Sequence, residues 1–232
     1  MTSFNSNNLS ALILAGGLGI RMRPLTISIP KPLLPIGDKS ILEDIIINLS
    51  NQKIKKIYIA LNYKGEMIQS LIGNGSKYNV KIHYLKEKEK LGTVGPIKLI
   101  KKLPKDLLVI NGDIKTNLNF NSFYQWHKKN NSQLSIAIKK INFQHDFGVI
   151  KFNNKDEIIK YSEKPKSSFY VSTGIYIVNR TVVELIPKNN NYGLDRLATD
   201  SILKKKRIMS YKVKEKWLDI GSFANYFDAN KK

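Results

Sequence analysis

Leu12-Ile13-Leu14-Ala15-Gly16-Gly17-Leu18-Gly19-Ile20-Arg21-Met22-Arg23-Pro24-Leu25-Thr26, continued by Ile29-Pro30-Lys31-Pro32, is the stretch on which the fold turns. Its first residues are apolar and uncharged, which reads as a strand over Ala11 to Ala15 covered on both faces. Three glycines within four positions, Gly16, Gly17 and Gly19, end that run. Without side chains the backbone can turn sharply and bring its amides close to a ligand. Arg21 and Lys31 add fixed positive charge to the same loop. Strand, glycine loop and cations together describe a site for polyphosphate. Neither of the commoner glycine loops fits. A dinucleotide fingerprint needs glycine where Met22 stands, and the P-loop needs a Gly-Lys-Ser/Thr that is absent.

Outward from this stretch, the first half alternates strands with helices. A helix is expected over Ile41 to Leu49 with Asp38 or Ser40 as its cap, then a strand from Ile54 to Leu61 and a helix from Lys64 to Ile72. A strand over Lys81 to Leu85, a helix from Gly95 to Lys102 and a strand over Leu107 to Ile110 follow. That rhythm means an α/β fold with a doubly wound, mainly parallel sheet. Past Phe120 to Asn130, a helix, the pattern loosens. Shorter strands are expected at 134–139, 148–152, 158–161, 170–178 and 208–213, with helical segments near 181–186, 194–203 and 222–230. No linker or repeat separates the halves, so the second is expected to pack on the same sheet.

The 232 residues suffice for one domain, expected over 11–232 behind a polar, Asn/Ser-rich and disordered leader over 1–10. Within it, 11–115 reads as one half and 116–232 as the other. The absence of cysteine excludes a disulfide framework and thiolate chemistry. No signal-peptide core or membrane-length apolar run is present, so a cytoplasmic protein without a membrane partner is expected. A net charge of +21 invites a nucleic-acid reading. The excess is nearly all Lys, scattered over every element, whereas specific nucleic-acid sites lean on Arg and interleaved aromatics. Specific nucleic-acid binding is therefore not expected.

The quoted loop, with Pro30-Lys31-Pro32, resembles the signature of the sugar-1-phosphate nucleotidyltransferases, the NDP-sugar pyrophosphorylases, and in particular their short guanylyltransferase-type members. Further fragments resemble that family along most of the chain. Asn111-Gly112-Asp113 stands at the C-terminal end of an apolar strand, the edge at which open α/β sheets bind ligands. With Trp217-Leu218-Asp219-Ile220-Gly221 it resembles the two metal-binding motifs, which implies Mg²⁺ on Asp113 and Asp219. Mg²⁺ favours a few carboxylates together with substrate phosphates and water. The left-handed β-helix of some bifunctional relatives and a preceding regulatory domain are not expected.

The resemblance implies a Rossmann-like fold with a nucleotide-binding half and a sugar-binding half. It implies that Leu14, Ala15, Gly16, Gly17, Gly19 and Asn111 lie against the nucleotide. Leu91-Gly92-Thr93-Val94-Gly95 resembles a segment whose glycines rest on the base, which adds Gly92 and Thr93. Glu87 takes the position facing the base edge, where uridylyl- and thymidylyltransferases commonly have Gln. A carboxylate only accepts hydrogen bonds, and guanine offers adjacent N1–H and N2 amino donors to it. Glu87 therefore tilts the nucleotide towards GTP, with UTP or dTTP the alternative. Equally, Glu87 reads as one of the charges of a solvated turn, Lys86 to Lys90.

On the sugar side the resemblance implies Gly148, from Phe147-Gly148-Val149, and Glu163 and Lys164, from Glu163-Lys164-Pro165. Thr173 and Gly174 follow from Ser172-Thr173-Gly174-Ile175-Tyr176. Asp146-Phe147-Gly148 imitates a kinase metal motif without the other kinase signatures. His83, His127 and His145 show no metal spacing. The implied reaction is attack of a sugar-1-phosphate on the α-phosphorus of an NTP, with release of pyrophosphate and formation of an NDP-sugar for surface glycans. Arg21, Lys31 and Lys164 are the implied catalytic cations, neutralising repulsion between anions. One departure stands out: Ile20 occupies a position where the family usually has Thr, which leaves a non-catalytic regulatory relative open. So is a homo-oligomer.

Overall fold

The structure, a computed structural model, describes residues 9–231. Strand β1 (Ser10–Leu14) is an interior strand of the main sheet, paired on both edges. Its neighbours explain its uniform composition: Ala11 and Ile13 face one hydrophobic layer and Leu12 the other. Residues 1–8 of the expected leader lie outside the described residues. Its boundary at residue 10 is corrected, because Leu9 packs into the core and Ser10 pairs with Leu107.

The long loop after β1 is not simply extended. It holds short 3-10 turns at Ile20–Met22 and Lys31–Leu33, a single helical turn α1 (Leu25–Ser28) and a small ribbon, β2 (Pro35–Ile36) with β3 (Lys39–Ser40). Helix α2 (Ile41–Asn51) takes Ser40, not Asp38, as its cap. Ser40 Oγ accepts from the Glu43 amide at 3.2 Å while Glu43 Oε2 accepts from the Ser40 amide at 3.0 Å. That is a reciprocal capping box. There follow β4 (Lys56–Leu61), α3 (Gly65–Ile72), β5 (Lys81–Lys86) and β6 (Asp106–Asn111). The helix expected over Gly95 to Lys102 is a 3-10 helix confined to Gly95–Leu99. Pro96 suits its first turn, and Pro104 biases the chain before it towards extended backbone.

The second half adds β7 (Ile114–Thr116), α4 (Phe120–Lys129), β8 (Leu134–Gln144), β9 (Val149–Phe152), β10 (Ile158–Ser162) and β11 (Lys166–Asn179). Then come α5 (Arg180–Val183), α6 (Leu194–Leu203), β12 (Ile208–Lys212), β13 (Trp217–Asp219) and α7 (Phe223–Asn230). The main sheet runs β12-β8-β11-β6-β1-β4-β5, so both halves share it. β6, β1, β4 and β5 are parallel, and β11 runs antiparallel between β6 and β8. Because the four parallel strands point one way, their C-terminal ends, Asn111, Leu14, Leu61 and Lys86, form one edge. The antiparallel ribbon β7–β13, which strand propensity did not reveal, crosses beside it.

Candidate active site

The site is built where the parallel strands stop. The Gly112 amide donates to Leu14 O at 2.9 Å, and a Cβ on Gly112 would stand 2.6 Å from that oxygen. Glycine is thus required for the chain to cross the end of β1, and the crossing delivers Asp113. The β7–β13 ribbon pairs Asp219 with Ile114, and the Ile220 amide donates to Asp113 O at 2.9 Å. Two aspartates separated by about a hundred residues of sequence are therefore fixed side by side by backbone pairing.

The glycine loop supplies the cations. Gly19 is left-handed, at φ 61°, and its carbonyl accepts from the Thr26 hydroxyl and the Met22 amide, each at 2.8 Å. A Cβ there would press on Thr26 and on the Lys31 stem. Lys31 is buried at 8% exposure and its ammonium forms an ion pair with Asp113 Oδ2. A Cβ on Gly221 would lie 3.0 Å from Arg21 Nη2 and from both Asp219 oxygens, so these two side chains converge across that glycine. Burial pushes the Asp219 carboxyl above its usual value and the Asp113 charge adds to the rise, with Lys31 and Arg21 pulling the other way. Like charges held together out of water are what a divalent cation relieves. Two carboxylates open to phosphate oxygens also match the Mg²⁺ donor preference. Among the described residues no cluster of three or more metal-ligating side chains exists, so substrate oxygens and water must complete any such shell.

A cavity of about 560 Å³ spans Gly16 to Met22, Lys31, Asp113 and Gly221. It adjoins a second of about 220 Å³ lined by Leu14, Glu87, Gly92, Thr93 and Asn111. Gly16, Gly17, Asn62, Lys90 and Asp113 line both. Asn62, directly after β4, and Lys90 were missed from sequence; the only signal for Asn62 was its place at a strand's C-terminal end. Asn111 Oδ1 is buried without a hydrogen-bond partner among the described residues, an acceptor left for a ligand donor. Gly174, left-handed at φ 75°, packs directly on that amide.

Glu87 does not sit on a solvated turn. It is half-buried between exposed Lys86 and Lys88, and its Oε2 accepts from the Leu91 amide at 3.0 Å. Its Oε1 lies 3.0 Å from where a Cβ on Gly16 would be. Burial raises its pKa, partly offset by the Leu91 amide.

Several expected residues have other work. The space beside Gly92 is filled by the protein itself, since a Cβ there would meet Asn191 Oδ1 at 2.6 Å and Tyr192 O at 2.7 Å. The Thr93 hydroxyl oxygen accepts from the Leu194 amide at 2.8 Å, at the start of α6. Thr173 is corrected as a sugar contact: it is fully buried, its hydroxyl donates to Ala137 O at 2.8 Å and its carbonyl accepts from Trp217 Nε1 at 2.8 Å. Gly148 and Glu163 do meet, with Glu163 Oε2 accepting from Tyr161 at 2.8 Å. Both are exposed or half-exposed on the β9–β10 hairpin with Lys164, and none of the three lines either cavity.

The family model described as Nucleotidyl transferase matches residues 10–232. A mannose-1-phosphate guanyltransferase of Yarrowia lipolytica is 34% identical over 221 residues, covering 92% of this chain and 61% of the relative. The Saccharomyces cerevisiae protein of the same name is 31% identical over 222 residues, with the same coverage. The chain thus spans 61% of the length of these curated relatives. The crystal structure of HddC from Yersinia pseudotuberculosis complexed with GMP-PN superposes with a TM-score of 0.72 at 25% identity, covering 95% of this chain and 97% of that one.

Proposed function

The chain belongs to the nucleotidyl transferase family, and on that premise we propose that it transfers a guanylyl group from GTP to a sugar-1-phosphate, releasing pyrophosphate. Mannose-1-phosphate, named in the relatives, is the first acceptor to test. A cytoplasmic setting, where both substrates are soluble anions, suits this reading, and no described helix is long and apolar enough to cross a membrane.

The observation that carries the guanine assignment is the half-buried Glu87 carboxylate beside the Gly16 backbone, at one end of a cleft whose other end holds Lys31, Arg21 and two aspartates. Arg21 and Lys31 neutralise the triphosphate as negative charge moves towards the departing pyrophosphate. The attacking phosphate is largely ionised at neutral pH, with its second pKa about 6, so no residue need serve as a base. The glycine loop presents backbone amides to the same phosphates. Mg²⁺ held by Asp113 and Asp219 would supply the further positive charge that lets two anions approach. Glu163 and Lys164 stand on a neighbouring arm and are assigned to the acceptor by resemblance.

Pyrophosphate release measured with GTP, UTP, dTTP, CTP and ATP against a panel of sugar-1-phosphates tests this. Release with GTP supports the assignment, and release only with UTP or dTTP removes the role given to Glu87. A second reading, a non-catalytic relative, draws on Ile20, whose 59% exposed side chain lines the cleft where a hydroxyl is usual. Silence across the panel, restored by Ile20→Thr, would establish that second reading.

A further inference from the structure

Lysines that read as scattered in the sequence are gathered by the sheet. At the end opposite the cleft, backbone hydrogen bonds set the residues flanking successive strands side by side. The Lys81 amide donates to Lys55 O at 2.7 Å beside β5 and β4, and the Arg180 amide to Lys105 O at 2.8 Å beside β11 and β6. The Gln133 amide donates to Arg207 O at 2.8 Å, just before β8 and β12. Lys55, Lys56, Lys81, Lys105, Arg180 and Arg207 are all exposed. Neighbouring strands lie about 4.8 Å apart, so these cations follow one another at steps no longer than about one Debye length and act as one field. The carboxylate inside the row, Asp106, is buried, and it accepts from Asn179 Nδ2 at 2.6 Å and Lys128 Nζ at 3.5 Å. Glu184, exposed after Arg180, offsets one of the cations.

Helix α6 starts on the cleft side, where the Leu194 amide donates to Thr93, and runs to this edge. It closes in a Schellman motif, with the Lys206 amide donating to Ser201 O and the Lys205 amide to Ile202 O, each at 2.9 Å. Lys205 takes the left-handed position of that motif at φ 52°, where glycine costs less. Lys204 and Lys205 are exposed, and the two residues before them, Ile202 and Leu203, are 66% and 73% exposed. Two open aliphatic side chains thus stand at the rim of a cationic edge.

We propose that this edge docks on an anionic lipid bilayer, with Ile202 and Leu203 entering the interface and the row of cations lying on the headgroups. Anionic membrane surfaces attract basic segments, and shallowly inserted apolar side chains add to the hold. Nucleic-acid surfaces interleave Arg with aromatic stacking platforms. This edge is mainly Lys with aliphatic side chains, and exposed aromatics such as Phe147 and Phe152 lie on or beside the β9–β10 hairpin instead. The cleft lies at the other ends of the same strands, so a docked molecule keeps it open to dissolved anions. This inference does not rest on nucleotidyl transfer.

Co-sedimentation with phosphatidylcholine vesicles, with and without phosphatidylserine, tests this. The chain should sediment with the phosphatidylserine vesicles alone and be released by salt. Joint Lys204→Gln and Lys205→Gly should weaken this partitioning roughly tenfold or more. Glycine suits the left-handed position, so that variant should fold at least as well. Joint Lys151→Gln and Lys160→Gln, an equal loss of charge on the β9–β10 hairpin, should weaken binding far less. Because the chain has no cysteine, Leu203→Cys can carry a polarity-sensitive dye. Its emission should shift to the blue on phosphatidylserine vesicles, while the same dye at Lys151→Cys should not respond. Equal losses in the two paired variants, a silent dye at position 203, or no vesicle binding at low salt would overturn the proposal. So would retention of polyuridine without vesicle binding, abolished by the Lys204 and Lys205 changes, since that would seat a nucleic acid on the edge.

Discussion

The loop after β1 and the arm between β8 and β11 look alike in sequence, each with glycine, lysine and proline beyond a strand end, and the structure treats them in opposite ways. In the loop, Met22 is fully buried, Lys31 is paired with Asp113 and Gly19 is pinned by Thr26. In the arm, Phe147 is 80% exposed, and Lys164 is exposed with left-handed backbone at φ 41°. A cation held in low dielectric beside carboxylates acts strongly on a phosphate, whereas the same group in water is screened. The difference teaches that the family motifs mark two tiers: one preassembled by this chain's own packing, the other waiting for a contact.

The largest test of that division replaces one lysine from each tier. Lys31→Met should lower kcat/KM by about 10²–10³, or about 3–4 kcal/mol of barrier, as loss of a preorganised electrostatic group does. Lys164→Met should cost less and act mainly on KM for the sugar-1-phosphate. Equal losses would break the comparison. Lys31 also lowers the Asp219 pKa. Its removal should let that pKa climb further, moving the acid limb of the rate profile to higher pH.

The next test sharpens the comparison inside one charged run. Glu87 is half-buried while Glu89, two residues on, is exposed. Glu87→Gln should weaken kcat/KM for GTP by about 1.5–3 kcal/mol, the range for hydrogen bonds to a charged group, and narrow the preference over UTP. Glu89→Gln, which removes a carboxylate from the phosphate-side cavity, should change GTP and UTP kinetics alike and leave their ratio unchanged. Steady-state kinetics with the two nucleotides decides it.

How much of this was legible follows from the same division. The buried run ending in glycines, and the Asn111-Gly112-Asp113 strand end, were readable because both report local backbone need. The β7–β13 ribbon was not, since three-residue strands carry little periodicity, yet it is what sets Asp219 beside Asp113. Gly92 lines the cavity, but the packing that requires a glycine there, against Asn191 and Tyr192, comes from a segment a hundred residues away and leaves no local signal.

A third test lies at the far end of β6. Asp106 is buried there, and although burial raises its pKa, hydrogen bonds from His127 and Asn179 and the charge of Lys128 bring it down to about 2. A depressed carboxyl stabilises the fold above its unfolded value of 3.8, and that contribution is lost as pH falls through about 2. Asp106→Asn should therefore cost about 2 kcal/mol at neutral pH and little near pH 2, leaving the nucleotide KM unchanged. Denaturant melts at the two pH values read this directly.

The smallest effect separates packing from recognition. Thr173 lies in a segment that resemblance assigns to the sugar, but its hydroxyl is spent on Ala137 O and its carbonyl on Trp217. Thr173→Val keeps the shape and removes the buried hydrogen bond to the Ala137 carbonyl, at the point where the β8–β11 ladder shifts register between Ser172 and Tyr176. The expected loss is about 1 kcal/mol of stability, with KM for the sugar-1-phosphate unchanged. A raised KM at unchanged stability would instead put Thr173 in contact with substrate, which its present burial forbids. The second tier would then reach deeper into the sheet than the exposed arm, and the line between the preassembled loop and the open arm would have to be drawn on the near side of β11.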